Sequence, residues 1–95
     1  MSKLKADVIR YSKKLNITNL SSLRSGNISA RAKENGVDGF YITPSGRKYS
    51  SLKTKDIVFV SLKGIYDKKK GKPSSEWRFH QDIYVNKKEA KAIVH

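Results

Sequence analysis

Ser74, Ser75 and Glu76 stand together in KPSSEWRFH, residues 72–80, just where an apolar rhythm begins. Two hydroxyl groups in such a place have two uses. They can satisfy the unpaired N–H groups of a helix start. They can also join those N–H groups in holding an anion, with the neighbouring carboxylate free to move a proton. Two further segments share this chemistry: SGN at 25–27 and TPSG at 43–46. Gly26 and Gly46 permit backbone geometries in which N–H groups converge into an anion-binding concavity, and Ser45 adds a hydroxyl donor. Taken singly, each segment is ordinary: a helix cap, a Pro-Ser-Gly turn, a Gly-Asn turn. Brought together, the three could hold one phosphate.

The chain contains two histidines, His80 and His95. His80 follows Glu76 by four residues and so shares a helix face with it, which makes it a tempting metal ligand. The preferred reading is a histidine bonded within the core or its own helix.

These groups need elements to hold them. Leu4, Val8, Tyr11 and Leu15 recur at helical steps and predict an amphipathic helix over residues 2–15, capped by Ser2. Residues 16–25 are polar, with Leu20 and Leu23 as anchors. Ile28 and Ala30 alternate with Asn27, Ser29 and Arg31, the period of a half-buried strand. ENGVDG, residues 34–39, has the chemistry of a turn closing a hairpin onto FYIT at 40–43. IVFVSL at 57–62 is the strongest strand, being rich in β-branched residues. A second helix is expected from Ser75 to Asn86, with Trp77, Phe79, Ile83, Tyr84 and Val85 as its apolar contacts. AKAIVH opens a last strand. This order predicts an α/β fold, a layered arrangement around a mixed, mostly antiparallel sheet.

Composition narrows the function. The 95 residues make one domain at most, and 37% hydrophobic content is low for a self-sufficient one. Cysteine is absent, so disulfides and cysteine-ligated zinc are excluded. With MSKLKADVIR lacking a signal-peptide core and no apolar run of spanning length, the expectation is a cytoplasmic protein that does not enter a membrane. A net charge of +13 raises the prior for anionic partners, nucleic acid among them. The densest basic cluster, Lys68, Lys69, Lys70 and Lys72, is broken by Gly71 and followed by Pro73, which suits a loop better than a binding helix. No nucleic-acid-binding consensus accompanies it, so nucleic acid is not the favoured partner.

Five stretches in order, SGNISAR (25–31), GFYITPSG (39–46), DIVFVSLKG (56–64), KPSSEWRFHQDIY (72–84) and KAIVH (91–95), resemble the N-terminal part of the class II, zinc-dependent sugar-phosphate aldolase and adducin head family. That group takes in fuculose-phosphate aldolases, related epimerases and adducin heads. The resemblance implies roles. Gly26, Asn27, Ser45, Gly46, Ser74 and Ser75 would hold the substrate phosphate, Glu76 would be the catalytic acid/base, and His95 would be the first zinc ligand. Zinc would be the cofactor and a sugar phosphate the small-molecule partner.

The resemblance also implies that residues 1–95 are the N-terminal part of one such domain, ending at the first zinc histidine. A catalytic zinc takes three protein ligands. Two histidines and no cysteine cannot build the family's site, and a trio of Glu76, His80 and His95 would lean on a terminal residue. Exposed strand edges would favour a homo-oligomer. Two expectations follow: a piece of a ketose 1-phosphate aldolase that is inactive alone, or a non-catalytic adducin-like module binding anions or nucleic acid.

Overall fold

The computed structural model describes residues 4–10, 27–46 and 51–95. A helical segment at residues 4–10 (α1) is followed by strands β1 (Ile28–Glu34), β2 (Val37–Ile42) and β3 (Val58–Ser61), helix α2 (Trp77–Asn86) and strand β4 (Ala92–Val94). Single 3-10 turns occupy Thr54–Asp56 and Lys68–Lys70. The first predicted helix is therefore seen over part of its span; its Ser2 cap, residues 3 and 11–15, Leu20 and Leu23 lie outside the described residues. No helix among the described residues is long and apolar enough to cross a membrane.

The sheet order is β3-β2-β1-β4, and all three pairings are antiparallel. The parallel component allowed for in a mixed sheet does not occur among the described residues. β1 and β2 form a tight hairpin in which Glu34 pairs with Val37. Its two loop residues, Asn35 and Gly36, have φ of 52° and 79°. Asn-Gly is the pair that accepts two positive φ values at least cost, and that turn matches the twist of the strands. The turn is thus confined to two residues, and β2 begins at Val37, earlier than the expected Phe40.

Strand alternation sorts the core onto two faces. Phe40, Ile42, Val58 and Val60 pack with Ile93 of β4 and Tyr84 of α2. On the other face Tyr41, Ile28 and Ala32 pack with Ile57 and with Val8 of α1. One helix lies on each face, so the layering is α/β/α.

Two expectations about faces are corrected. β1 is not half exposed: its polar face, Ser29 and Arg31, is turned toward α2, and Ser29 is fully buried. Within α2 the inward residues are His80 and Tyr84, while Phe79 and Val85 are 45% and 48% exposed. The polar face of β1 can be covered because its hydrogen bonds are met there. Arg31 Nε donates to Ala90 O at 2.7 Å, and Nη2 donates to Tyr84 O at 2.8 Å and Lys87 O at 3.0 Å. The guanidinium also lies 4.9 Å from the centre of the Tyr84 ring.

One cation thus satisfies carbonyls that the helix end leaves unpaired, and its charge suits the negative end of the dipole. Arg31→Ala is expected to destabilise the chain by about 1.5–3 kcal/mol, the range for hydrogen bonds to a charged group. Arg31→Lys should recover little, because an ammonium on a flexible stem cannot copy the planar fork. Urea unfolding checks both; an alanine variant of wild-type stability would remove Arg31 from this role.

Candidate functional site

Backbone hydrogen bonds stitch the small-residue turns side by side. Thr43 N donates to Ile28 O at 3.1 Å, and Ser74 N donates to Thr43 O at 2.9 Å. Ser45 N reaches Lys72 O at 3.0 Å, beside an isolated bridge between Pro44 and Pro73. On the other side the β1–β4 ladder runs one step past β4: Asn27 and His95 exchange N–H···O bonds, both 2.9 Å. The line of segments therefore runs from His95 through Asn27 and Thr43 to Ser74. Of the predicted site residues, Asn27, Ser45, Gly46, Ser74, Ser75, Glu76 and His95 lie on this line or next to it. Gly26 lies outside the described residues.

These pairings leave certain donors open. The N–H groups of Ser45 and Ser74 are used by the scaffold. Among the described residues, the N–H groups of Gly46 and Ser75 and the hydroxyls of Ser45 and Ser75 have no protein acceptor. Gly46 has φ of 68°, the left-handed region that favours glycine, and a Cβ there would meet nothing, so the constraint is conformational.

Ser74 differs from its neighbour. It is buried, its Oγ accepts from Glu76 N at 3.2 Å, and its carbonyl accepts from Trp77 N at 3.0 Å. This turn postpones the helix, which starts at Trp77 and not at the expected Ser75. A serine hydroxyl competing for a nearby backbone N–H is the physical reason.

Glu76 and His95 meet although nineteen positions separate them. Glu76 Oε1 lies 3.5 Å from His95 Nδ1, with both side chains about half exposed. The His95 ring stacks on Phe79 with centroids 4.4 Å apart. The pair offers one oxygen and one nitrogen donor at a single opening. No group of three metal-ligating side chains occurs among the described residues. Since a catalytic zinc takes three protein ligands, the pair fits part of such a centre.

His80 is elsewhere, fully buried beneath the site. Its Nδ1 is 2.5 Å from Ser29 Oγ, its Nε2 is bonded to Asn27 Oδ1, and Ser29 Oγ is 2.8 Å from Tyr84 Oη. Both ring nitrogens are engaged, so the ring has no lone pair left for a metal, and the trio of Glu76, His80 and His95 does not form. Burial, helped by the nearby His95, pushes the His80 pKa down to about 4, so the ring is neutral. Burial holds the Tyr84 hydroxyl up at about 12, outweighing Ser29 and Arg31, so it keeps its proton.

Ser29 and Tyr84 were not singled out from the sequence. The available signal was modest: Tyr84 follows His80 by four residues, and Ser29 shares a strand face with Asn27. A cavity of about 700 Å³ also lies elsewhere, beside β3, lined by Val37, Ile57, Phe59, Ile65 and Tyr66 among others. It contains none of the predicted site residues.

Residues 6–95 match the family model described as Class II Aldolase and Adducin N-terminal domain. The chain is 45% identical over 71 residues to an L-fuculose phosphate aldolase of Haemophilus influenzae, covering 75% of this chain and 31% of the relative. It is 38% identical over 92 residues to a 5-methylthioribulose-1-phosphate/5-deoxyribulose-1-phosphate aldolase of Rhodospirillum rubrum, covering 97% and 39%. Among solved structures, an L-fuculose 1-phosphate aldolase superposes with a TM-score of 0.88 at 35% identity, covering all of this chain and 44% of that one. The chain thus spans less than half the length of these relatives.

Proposed function

Because the chain belongs to the class II aldolase and adducin N-terminal domain family, we propose that it supplies the phosphate-binding and proton-transferring part of a zinc-dependent aldolase. The reaction is cleavage of a ketose 1-phosphate to dihydroxyacetone phosphate and an aldehyde. Residues 1–95 are read as the N-terminal part of one such domain. The observation that carries this reading is the Glu76–His95 pair, 3.5 Å apart, next to the stitched turns.

In this reading Gly46, Ser45 and Ser75, with Asn27, Ser74 and Gly26, receive the phosphate. Their work is to bind and orient, turning the remote phosphate into positional advantage at the reacting carbons. Glu76 accepts and returns the proton as the carbon–carbon bond breaks. His95 and Glu76 would hold the zinc together with further ligands, and the bound metal would supply charge to polarise a carbonyl oxygen. Alone, the chain is inactive, since it brings too few ligands. Its assembly is proposed to be a homo-oligomer, supported by the outer edges of β3 and β4, which pair with no other strand among the described residues, and by Val94 at 63% exposure.

The second reading, a non-catalytic module for nucleic acid, is favoured by one feature, the +13 charge. Titrating the chain with dihydroxyacetone phosphate and with duplex DNA separates the two. Saturable sugar-phosphate binding that shifts the amide signals of Gly46 and Ser75 is expected, with DNA binding weak and lost steeply with salt. Tight DNA binding with no sugar-phosphate response would reverse the assignment. Sedimentation of the same samples at monomer mass would remove the oligomer.

A further inference from the structure

Asn27 is only 2% exposed, yet half of its carboxamide is unaccounted for. Its backbone N–H and C=O are both paired with His95, and its Oδ1 is bonded to His80. Its NH2 group has no acceptor among the described residues. A buried amide donor without a partner costs on the order of a hydrogen bond's desolvation, so its presence points to a group that arrives from outside.

Asn27 turns its Oδ1 toward His80, and that orientation sets the direction of the network. Asn27 Oδ1 can only accept, so His80 Nε2 carries the proton and donates. Fully buried and bonded to a hydroxyl and an amide with no carboxylate, the ring carries one proton and accepts at Nδ1, which obliges Ser29 Oγ–H to donate there. With its own proton committed, Ser29 Oγ accepts from the Tyr84 hydroxyl. Donation therefore runs one way, from Tyr84 to Ser29 to His80 to Asn27. The His80 ring is kept in place by Phe40, whose ring stacks with it at 6.4 Å between centroids. The opposite tautomer would turn Asn27 round and present its oxygen, which repels an anion.

We propose that His80 is a positioning residue for the phosphate site: locked by the Tyr84–Ser29 relay, it holds Asn27 Oδ1 so that the Asn27 NH2 faces a phosphate oxygen. This rests on the reading of Asn27 as a phosphate ligand given above. His80 itself does not touch substrate. The same sequence segment thus contributes twice, through Ser75 at the surface and through the His80 ring beneath it.

The test uses the 95-residue chain, inorganic phosphate at constant ionic strength, and nitrogen NMR of the His80 ring. The ring is expected as the single Nε2-protonated tautomer. His80→Leu should weaken phosphate binding about tenfold, in the range for one bond to a charged group. His80→Gln, which can restore a donor toward Asn27, should recover most of that loss. In an Asn27→Ala background, His80→Leu should cost nothing more, because its effect passes through Asn27. If His80→Leu fails to fold, Ser29→Ala answers the same question: it should release the tautomer lock and weaken phosphate binding. A wild-type chain with no saturable phosphate binding overturns the phosphate reading and this inference with it. Phosphate binding that survives His80→Leu or Ser29→Ala, a loss that adds to that of Asn27→Ala, or an Nδ1-protonated ring overturns the inference alone.

Discussion

Glu76→Gln is expected to lower turnover by about 10²–10⁴-fold in an enzyme made by fusing this chain to the C-terminal part of a class II aldolase, while phosphate affinity stays essentially unchanged. Glutamine has nearly the shape of glutamate and keeps an oxygen beside His95, but it cannot take up and return a proton. Glu76 accepts no hydrogen bond from the turn that holds Ser74 and Ser75; only its backbone N–H is used there. The phosphate donors should therefore survive the change. Metal content has to be measured in the same samples, since the carboxylate lies 3.5 Å from His95 and is a candidate ligand as well. A variant that holds its metal and turns over at the wild-type rate would falsify the acid/base role. One that loses turnover only in proportion to lost metal would leave Glu76 as a ligand without proton transfer.

The second large effect is on stability. In the unfolded chain His80 titrates near the ordinary 6.5, whereas in the fold burial, helped by His95, holds it neutral down to about 4. Between these values the unfolded state binds a proton that the folded state refuses. The stabilisation is therefore fully present above about pH 6.5 and lost as pH falls toward 4, reaching about 3 kcal/mol. For a small domain that is a large share of the total. Urea unfolding of the wild type and of His80→Gln, at matched pH values between 7.5 and 4, isolates this contribution from that of the carboxylates. The wild-type curve should fall more steeply by roughly that amount. Parallel curves would show that the buried ring does not set the acid limit of the fold.

Much of the architecture was legible in the residues. Asn35-Gly36 announces a two-residue hairpin because few pairs tolerate two positive φ values. The β-branched run at 57–62 announces a strand because alternating side chains find a core on one face, as Val58 and Val60 do. The boundary of α2 was less legible, because Ser74 forms a turn of its own before the helix begins. The inward face of α2 was misjudged for a different reason. Hydrophobicity nominates Phe79 and Val85, but the strand opposite presents Ser29 and Arg31, and only a partner able to meet their hydrogen bonds can cover them.

The sequence by itself determined the local chemistry: which residues can turn, which can donate, and that a carboxylate and a histidine lie nineteen positions apart. It also carried the family resemblance. Only the tertiary structure decided that these groups meet. The register that pairs Ile28 with Val94 sets His95 opposite Asn27, and the turn after Ser74 brings Glu76 to His95. A one-residue slip in that register would turn every side chain of β4 to the other face. The same tertiary packing gave His80 its task. Burial removes its charge and two neighbours take its nitrogens, so that a residue resembling a metal ligand in the sequence becomes the support of an amide.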